Sequence, residues 1–492
     1  MNKLLSILLG AACCALPSNE GKAQPPLFEK YYELGATDEG NSICESGDGG
    51  FVIAGERRIA IGESNLVIMK IDSSGELEWV KLYGSNGNHR GISIKKCTLG
   101  GYIMAGYYQP MPDAREHPWL LRFDDFGDTL WTANNLTPMY PLSQSDPGNG
   151  YCWSAVEAID GYFYATSQVS DSSSATYFLT KIDPVGDTIW TKEFDWGLGP
   201  ELLRLTAGLD SSLILYGRYY NSITPIFSAD VLMVKTDLNG DTLWTRKYPL
   251  ANSVTSPQSV VVTSDSGYFI SAAAVNNTTL DVDYYLIRTD KNGDTLWTRT
   301  SGDIGCAKGG PGIQYSDGSF IVSGLTACQT SGMTDLYLAK FDSTGNLVWE
   351  RNYGGVNDDR ANAIIETTDG GFIACGYTQS YGFGNGDVYI VKTDSNGIAP
   401  TGFLTTAAPE NYFKLFPNPS SGRVFIEYRI PQDEDGILEV YSMTGVLLIR
   451  ETLTAGTERS EFDWSELEPG MYLTRVIVNE VPMKTERMII TE

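Results

Sequence analysis

One short pattern returns along this chain at a near-constant spacing, and that recurrence limits the fold more than any other feature. Asp-x-x-Gly begins at Asp72, Asp124, Asp183, Asp237, Asp290, Asp342 and Asp394. Six of these carry a Trp seven residues after the Asp: Trp79, Trp131, Trp190, Trp244, Trp297 and Trp349. Successive Trp lie 52, 59, 54, 53 and 52 residues apart. A period of that length suits one four-stranded blade of a β-propeller with its loops. Within one period, segments 347–353, 361–366, 372–377 and 387–392 are short and rich in β-branched and aromatic residues, and each reads as a strand. A two-residue turn precedes the third at 370–371, and it recurs at 49–50, 100–101, 160–161, 266–267 and 317–318. Its Gly is expected to supply the positive φ of a tight hairpin. The fourth period has Asp210-Ser211-Ser212-Leu213 there and no Gly.

The seventh Asp-x-x-Gly has no Trp strand after it. Residues 27–32 align with 348–353 and put Phe28 in the Trp position, so the missing strand is expected from the other end of the chain. A ring closed in this way has no open sheet edge. The predicted fold is all-β, a seven-bladed β-propeller closed by an N-terminal strand and followed by a small C-terminal β-sandwich. The expected organisation is a signal peptide at 1–23, the propeller at 24–400, a linker at 401–411 and the C-terminal domain at 412–492.

The Asp-x-x-Gly-x-x-x-Trp pattern resembles the tryptophan-docking motif of quinoprotein-type propellers. The resemblance implies that each Trp packs between neighbouring blades while the Asp and Gly shape the turn. Such proteins bind their quinone beside adjacent cysteines, and the one adjacent pair here, Cys13 and Cys14, falls in the leader, so no cofactor is expected. A Lys or Arg stands two residues before every repeat Asp, at Lys70, Arg122, Lys181, Lys235, Arg288, Lys340 and Lys392. Sevenfold recurrence argues a structural role, and ion pairing between blades is the expectation.

The leader begins with Lys3 and an apolar run from Leu4 to Ala15, too short to span a bilayer as a mature helix. Cleavage is expected after Ala23, with a site nearer Ala15 as the alternative. Gly10 stands where a lipobox has Leu, which argues against lipidation. No other segment has the run of apolar residues that a transmembrane helix needs. Six cysteines remain after processing, without CxxC spacing. Cys306 and Cys328 flank one predicted hairpin and are expected to form a disulfide; the others read as small core residues. A formal charge of −26 argues against a nucleic-acid partner.

After the Pro/Thr/Ala-rich linker the repeat stops. Pro417-Asn418-Pro419 and Gly422 open the tail, Val440-Tyr441 leads to a turn at Gly445, and Pro469-Gly470-Met471-Tyr472 precedes a hydrophobic end. Together these motifs resemble the type A C-terminal sorting domain of the bacterial type IX secretion system, over essentially the whole tail. The resemblance implies the type IX machinery as partner, passage through the periplasm and outer membrane, and a secreted or cell-surface location.

Two loop sets are long and differ between blades, those after the Trp strand and those after the strand that follows the Gly turn. In an up-and-down meander both emerge on one face, the natural place for binding. Three segments of that face carry the candidate ligand-binding residues: His117 in 107–118; Tyr140, Tyr151 and Trp153 in 134–153; Tyr219 and Tyr220 in 219–227. Aromatic faces beside Asn, Asp and Gln suit sugar rings. No Gly-x-Ser-x-Gly elbow, HExxH or P-loop is visible, so no catalytic residues are assigned. The turns at Asp237-Asn239-Asp241 and Asp290-Asn292-Asp294 resemble the start of calcium loops but lack the downstream Glu, so no metal is expected. The sequence reads as a monomeric surface protein binding a glycan or a protein. The alternative is a propeller enzyme acting on polysaccharide through channel carboxylates.

Overall fold

The structure is a computed structural model. It describes residues 26–491 except 36, 61–62, 85–86, 110–114, 135, 137–148, 171–174, 195–199, 223–227, 281, 301–306, 327–333, 383–385, 400–412, 417–419, 421, 429–435, 443–445, 455–458 and 479–480. All described regular elements are strands. The leader, Tyr140, Cys306, Cys328, Pro417, Asn418, Pro419 and Gly445 lie outside the described residues.

The first repeat is a four-stranded antiparallel sheet of Thr37–Glu45, Phe51–Ala60, Glu63–Ile71 and Leu77–Tyr83, paired in chain order. The second, third and sixth repeats form sheets of the same order. The fourth and fifth do so too, and one parallel bridge, Ala229 to Val254, joins them into a single eight-stranded sheet. The seventh repeat supplies Asp359–Glu366, Phe372–Thr378 and Asp387–Thr393, and its fourth strand is Phe28–Tyr32. Phe28 pairs with Lys392 as Trp349 pairs with Lys340, so the N-terminal strand takes the register expected of it.

Middle strands such as Asp387–Thr393 are buried along their whole length because sheets cover both faces. The core is correspondingly divided. One cluster joins Val52 and Leu66 of the first repeat to Ile94 and Tyr102 of the second. Others join the third to the fourth through Leu179 and Leu215, and the sixth to the seventh through Leu338 and Tyr389. A further cluster packs Phe28, Ile373 and Ile390 of the seventh against Phe51 and Met69 of the first.

Small contacts repeat at these boundaries. Each indole lies against the turn Gly of the next repeat: a Cβ on Gly127 would stand 3.0 Å from Trp79, and one on Gly397 would stand 2.7 Å from Trp349. Phe28 holds the same place against Gly75, at 2.9 Å. The Tyr32 hydroxyl donates to the Gly75 carbonyl at 2.7 Å, as Tyr83 does to Gly127 at 2.8 Å. Asn362 Nδ2 donates to the Gly40 carbonyl at 2.9 Å, as Asn41 does to Gly91 at 2.8 Å. The seventh and first repeats therefore meet through the same bonds that link consecutive ones.

The repeat Asp serves its own turn. Asp237 Oδ1 accepts from the Asn239 and Asp241 amides at 2.9 and 2.8 Å, and Asp72 does the same for Ser74 and Glu76. Two expectations need correction. The cations before the repeat Asp pair within their own sheet, not between sheets. Lys181 reaches Asp160 at 2.9 Å, Lys235 reaches Asp210 at 2.7 Å and Lys340 reaches Asp317 at 2.8 Å, each an acid of the first hairpin turn of the same repeat. Arg122, whose turn has Leu99 in place of the acid, binds the Tyr102 and Phe123 carbonyls instead. In that hairpin turn, Gly is also not always the residue with positive φ. Ser211 and Ser266 adopt it, at 56° and 68°, while Gly267 is needed for its size, since a Cβ there would stand 2.3 Å from the Thr289 carbonyl oxygen.

The C-terminal region has two sheets, one of Phe413–Phe416, Arg423–Tyr428 and Arg459–Asp463, the other of Leu447–Leu453, Gly436–Ser442, Gly470–Val478 and Val481–Ile490. They enclose one core containing Val424, Val440, Trp464, Val476 and Met488, which is a sandwich. Gly422 accepts the Trp464 amide at 2.7 Å, and the Tyr472 hydroxyl donates to the Glu468 carbonyl at 2.5 Å.

Candidate ligand-binding face

In every repeat the first strand carries extra backbone opposite the second. The register shifts fall between Gly40 and Ser42, Gly91 and Ser93, Cys152 and Ser154, Leu202 and Arg204, Pro257 and Ser259, Gly309 and Gly312, and Ala361 and Ala363. Such bulges bend a strand and re-aim its side chains. Two residues before the extra one, at the end nearer the long loops, the repeats place chemically distinct groups at one register. The first, second, third, fifth and seventh repeats contribute Glu39, Arg90, Tyr151, Ser256 and Arg360. Their second-strand partners include Glu56, Tyr107, Gln168 and Tyr377.

These residues form one polar network where the seventh, first and second repeats meet. Glu39 Oε1 accepts from Arg360 Nη2 at 2.9 Å and from Asn362 Nδ2 at 2.7 Å, while Arg90 approaches Oε2 at 3.7 Å. Arg90 also donates to Asn41 at 2.9 Å and lies 3.7 Å from Glu56, which Arg58 binds at 2.8 Å. Arg360 stands 4.8 Å from the centre of the Tyr377 ring, a stacked geometry that keeps part of the guanidinium open. Burial pushes the Glu39 carboxyl up, but the Arg360 and Arg90 guanidiniums and the Asn362 amide outweigh it and hold it below its ordinary value. Glu39 is thus an ionised acceptor, and its arginines remain partly exposed.

An aromatic wall continues from this network. Tyr107, whose hydroxyl feels the charges of Arg90, Glu116 and Glu56, meets Tyr151 edge-on at 5.1 Å, and Tyr151 meets Trp153 at 5.5 Å. The Tyr151 hydroxyl donates to Glu116 at 2.5 Å, Asn88 Nδ2 donates to the other Glu116 oxygen at 2.8 Å, and Trp153 Nε1 donates to Gln168 at 3.1 Å. Burial and the Glu116 carboxylate raise the Tyr151 phenol far above its usual range, so it stays a neutral donor.

Of the residues picked out from sequence, the structure brings Tyr151 and Trp153 together. His117 belongs to a separate cluster with Tyr108, at 5.5 Å. Tyr219 and Tyr220 lie on the fourth repeat, where Lys247 sits 3.0 Å over the Tyr219 ring and Tyr220 takes a 3.5 Å contact from Arg218. All five of these described residues stand within strands, not in loops, because the strands extend past the hydrophobic alternation into the polar rim. Sequence reading missed Glu39, Glu56, Arg90 and Arg360. Their signal was polar residues interrupting the alternation, of the first strands for Glu39, Arg90 and Arg360 and of a second strand for Glu56.

Comparison with known proteins bears on the tail. The family described as secretion system C-terminal sorting domain matches residues 414–491. Those residues are a type IX sorting domain. The sorting domain indicates export, to the cell surface or as a secreted protein, and involvement with the type IX machinery. Among the described residues, no helix is long and apolar enough to cross a membrane. No curated protein matches the sequence. Among solved structures, a puromycin hydrolase mutant complexed with PGG is 12% identical, with a TM-score of 0.47 over 84% of this chain. The chain covers 59% of that hydrolase. An endo-arabinase from Bacteroides thetaiotaomicron is 12% identical with a TM-score of 0.28, covering 49% of this chain and 92% of its own. A β-xylosidase gives 12% identity and a TM-score of 0.31 over 51% of this chain and 94% of its own.

Proposed function

We propose that residues 24–400 form a closed seven-bladed propeller whose long-loop mouth binds a glycan, carried outward by the sorting domain after a signal peptide at 1–23 is removed. Closure is supported by Phe28, Tyr32, Asn362 and the seventh-to-first hydrophobic cluster, which repeat the contacts of consecutive repeats. Binding is supported above all by one observation. The Arg90–Glu39–Arg360 network lies beside Tyr107, Tyr151 and Trp153, so that charged donors and aromatic faces share one rim. Aromatic faces stack on the C–H surfaces of sugars, and fixed donors meet their hydroxyls.

Two carboxylates of this rim, Glu39 and Glu56, are suited to binding rather than hydrolysis. A glycosidase needs one carboxyl kept protonated as general acid. Glu39 is instead held ionised by two arginines, and Arg58 pairs with Glu56. The test is retardation of the full chain in gels containing soluble polysaccharides, with reducing ends followed in parallel. Retardation that Trp153→Ala weakens about tenfold or more, without reducing ends, is the expected result; tenfold corresponds to about 1.4 kcal/mol, within the range of a stacked aromatic. Release of reducing ends by the parent protein would assign the polysaccharide-cleaving alternative instead.

A further inference from the structure

The rim network shows only one sign of charge to water. Its acids are covered, the Glu39 and Glu56 side chains being 7% and 4% exposed. Its arginines are open, Arg58, Arg360 and Arg90 being 55%, 41% and 30% exposed. The groups alternate along one line. Arg58 binds Glu56 at 2.8 Å, Arg90 lies 3.7 Å from both Glu56 and Glu39, and Arg360 binds Glu39 at 2.9 Å. Three guanidiniums thus share two carboxylates, and the carboxylates are the buried partners.

The arginines also keep donors unused. A guanidinium carries a fixed fan of N–H groups. Arg58 uses Nε and Nη2 on one Glu56 oxygen, Arg90 uses Nη2 on Asn41, and Arg360 uses Nη2 on Glu39. Among the described residues, Nη1 of each of the three has no hydrogen-bond partner. The buried acids and the Tyr377 ring, 4.8 Å from Arg360, hold these forks in place. Tyr107, the cross-strand partner of Arg90, leads from the charged patch to Tyr151 and Trp153. Glu116, the carboxylate beside that aromatic wall, has both oxygens bonded, to Tyr151 and to Asn88.

We propose that the glycan bound at this rim is an acidic one, whose carboxylate or sulfate is held by Arg58, Arg90 and Arg360 while a neighbouring sugar ring stacks on the Tyr151–Trp153 wall. The inference rests on the glycan reading of the rim and adds the class of glycan. Planar forks with spare N–H groups match an oxyanion in two bonds at once, which a neutral hydroxyl cannot use as well. The chain as a whole carries −26, so its remaining surface repels a polyanion. Preference for an acidic glycan must therefore come from a local group of cations, and the rim supplies one.

The test is calorimetric titration of the full chain with an oligogalacturonate and with the same oligomer methyl-esterified, which keeps the rings and removes the charge. A sulfated galactan oligomer and its desulfated form make a second arm. In at least one arm the acidic form is expected to bind about tenfold or more tighter than its neutral counterpart, and the arm that shows it identifies carboxylate or sulfate as the group. Raising the salt concentration is expected to shrink that ratio, because the forks are partly exposed. Arg58→Gln is expected to bring the ratio towards one, and a ratio cancels any loss of folded protein common to both titrations. Should that variant fail to fold, the ratio in the parent protein and its salt dependence decide alone. Neutral forms that bind as tightly as the acidic ones in both arms, or a ratio unchanged by salt or by Arg58→Gln, overturn the proposal while leaving glycan binding in place. Absence of binding by every oligomer, acidic and neutral, overturns the glycan reading itself and this inference with it.

Discussion

Phe28→Ala tests the closure of the ring through a single side chain. Phe28 is 1% exposed and packs with Tyr32, Phe51, Val67 and Met69 on one side and Ile373, Val388 and Ile390 on the other. Truncating a buried Phe removes its transfer energy and leaves a cavity, together about 3–5 kcal/mol. The surroundings here are strands held in register from both sides, which resist collapse into the gap, so a value of about 4 kcal/mol is expected. That is a large share of the roughly 5–15 kcal/mol by which folded domains exceed their unfolded chains. Urea unfolding followed by tryptophan fluorescence reads it as a lower midpoint for the repeat region with an unchanged slope. Tyr32→Phe, which removes only the hydroxyl bound to Gly75, is expected to cost about 1 kcal/mol. A loss under about 1 kcal/mol for Phe28→Ala would refute the reasoning, since it would mean that the N-terminal strand does not seal the seventh repeat against the first.

Other expectations follow from the same packing. Burial raises the Asp38 carboxyl to about 6, with only the Leu34 and Gly35 amides and Arg57 opposing it. A carboxyl raised in the fold contributes stability that is full below its unfolded value near 4 and lost as the pH rises through 6; about two pH units correspond to roughly 3 kcal/mol. Melting curves of Asp38→Asn against the parent protein between pH 4 and 7 should therefore diverge in favour of the variant as the pH rises, and parallel curves would count against it. Lys392 is buried and pairs with Asp369, so Asp369→Ala is expected to cost about 3 kcal/mol by stranding a charge. Adding Lys392→Met should recover most of that loss in a double-mutant cycle. A chain ending at residue 411 is expected to accumulate in the periplasm instead of at the cell surface, checked by fractionation, and surface display of the truncated chain would remove the sorting domain from export.

The sequence by itself determined what recurs. Seven Asp-x-x-Gly turns, six Trp and the alignment of residues 27–32 with 348–353 specified strand order, turn chemistry and the place of Phe28, because these depend on local backbone geometry repeated many times. The sorting domain was legible for a similar reason, several motifs falling in one order along the tail. Tertiary structure decided what the repeats bring together. The partner of six of the seven cations before the repeat Asp is an acid of its own sheet, a choice of distance between strands that spacing along the chain does not encode. Ser211 and Ser266 accept positive φ because their strands are held on both sides, which outweighs the local preference for Gly. The rim is the fullest case. Glu39 and Arg360 are 321 residues apart, and they meet only because the N-terminal strand and the seventh repeat share a sheet beside the first.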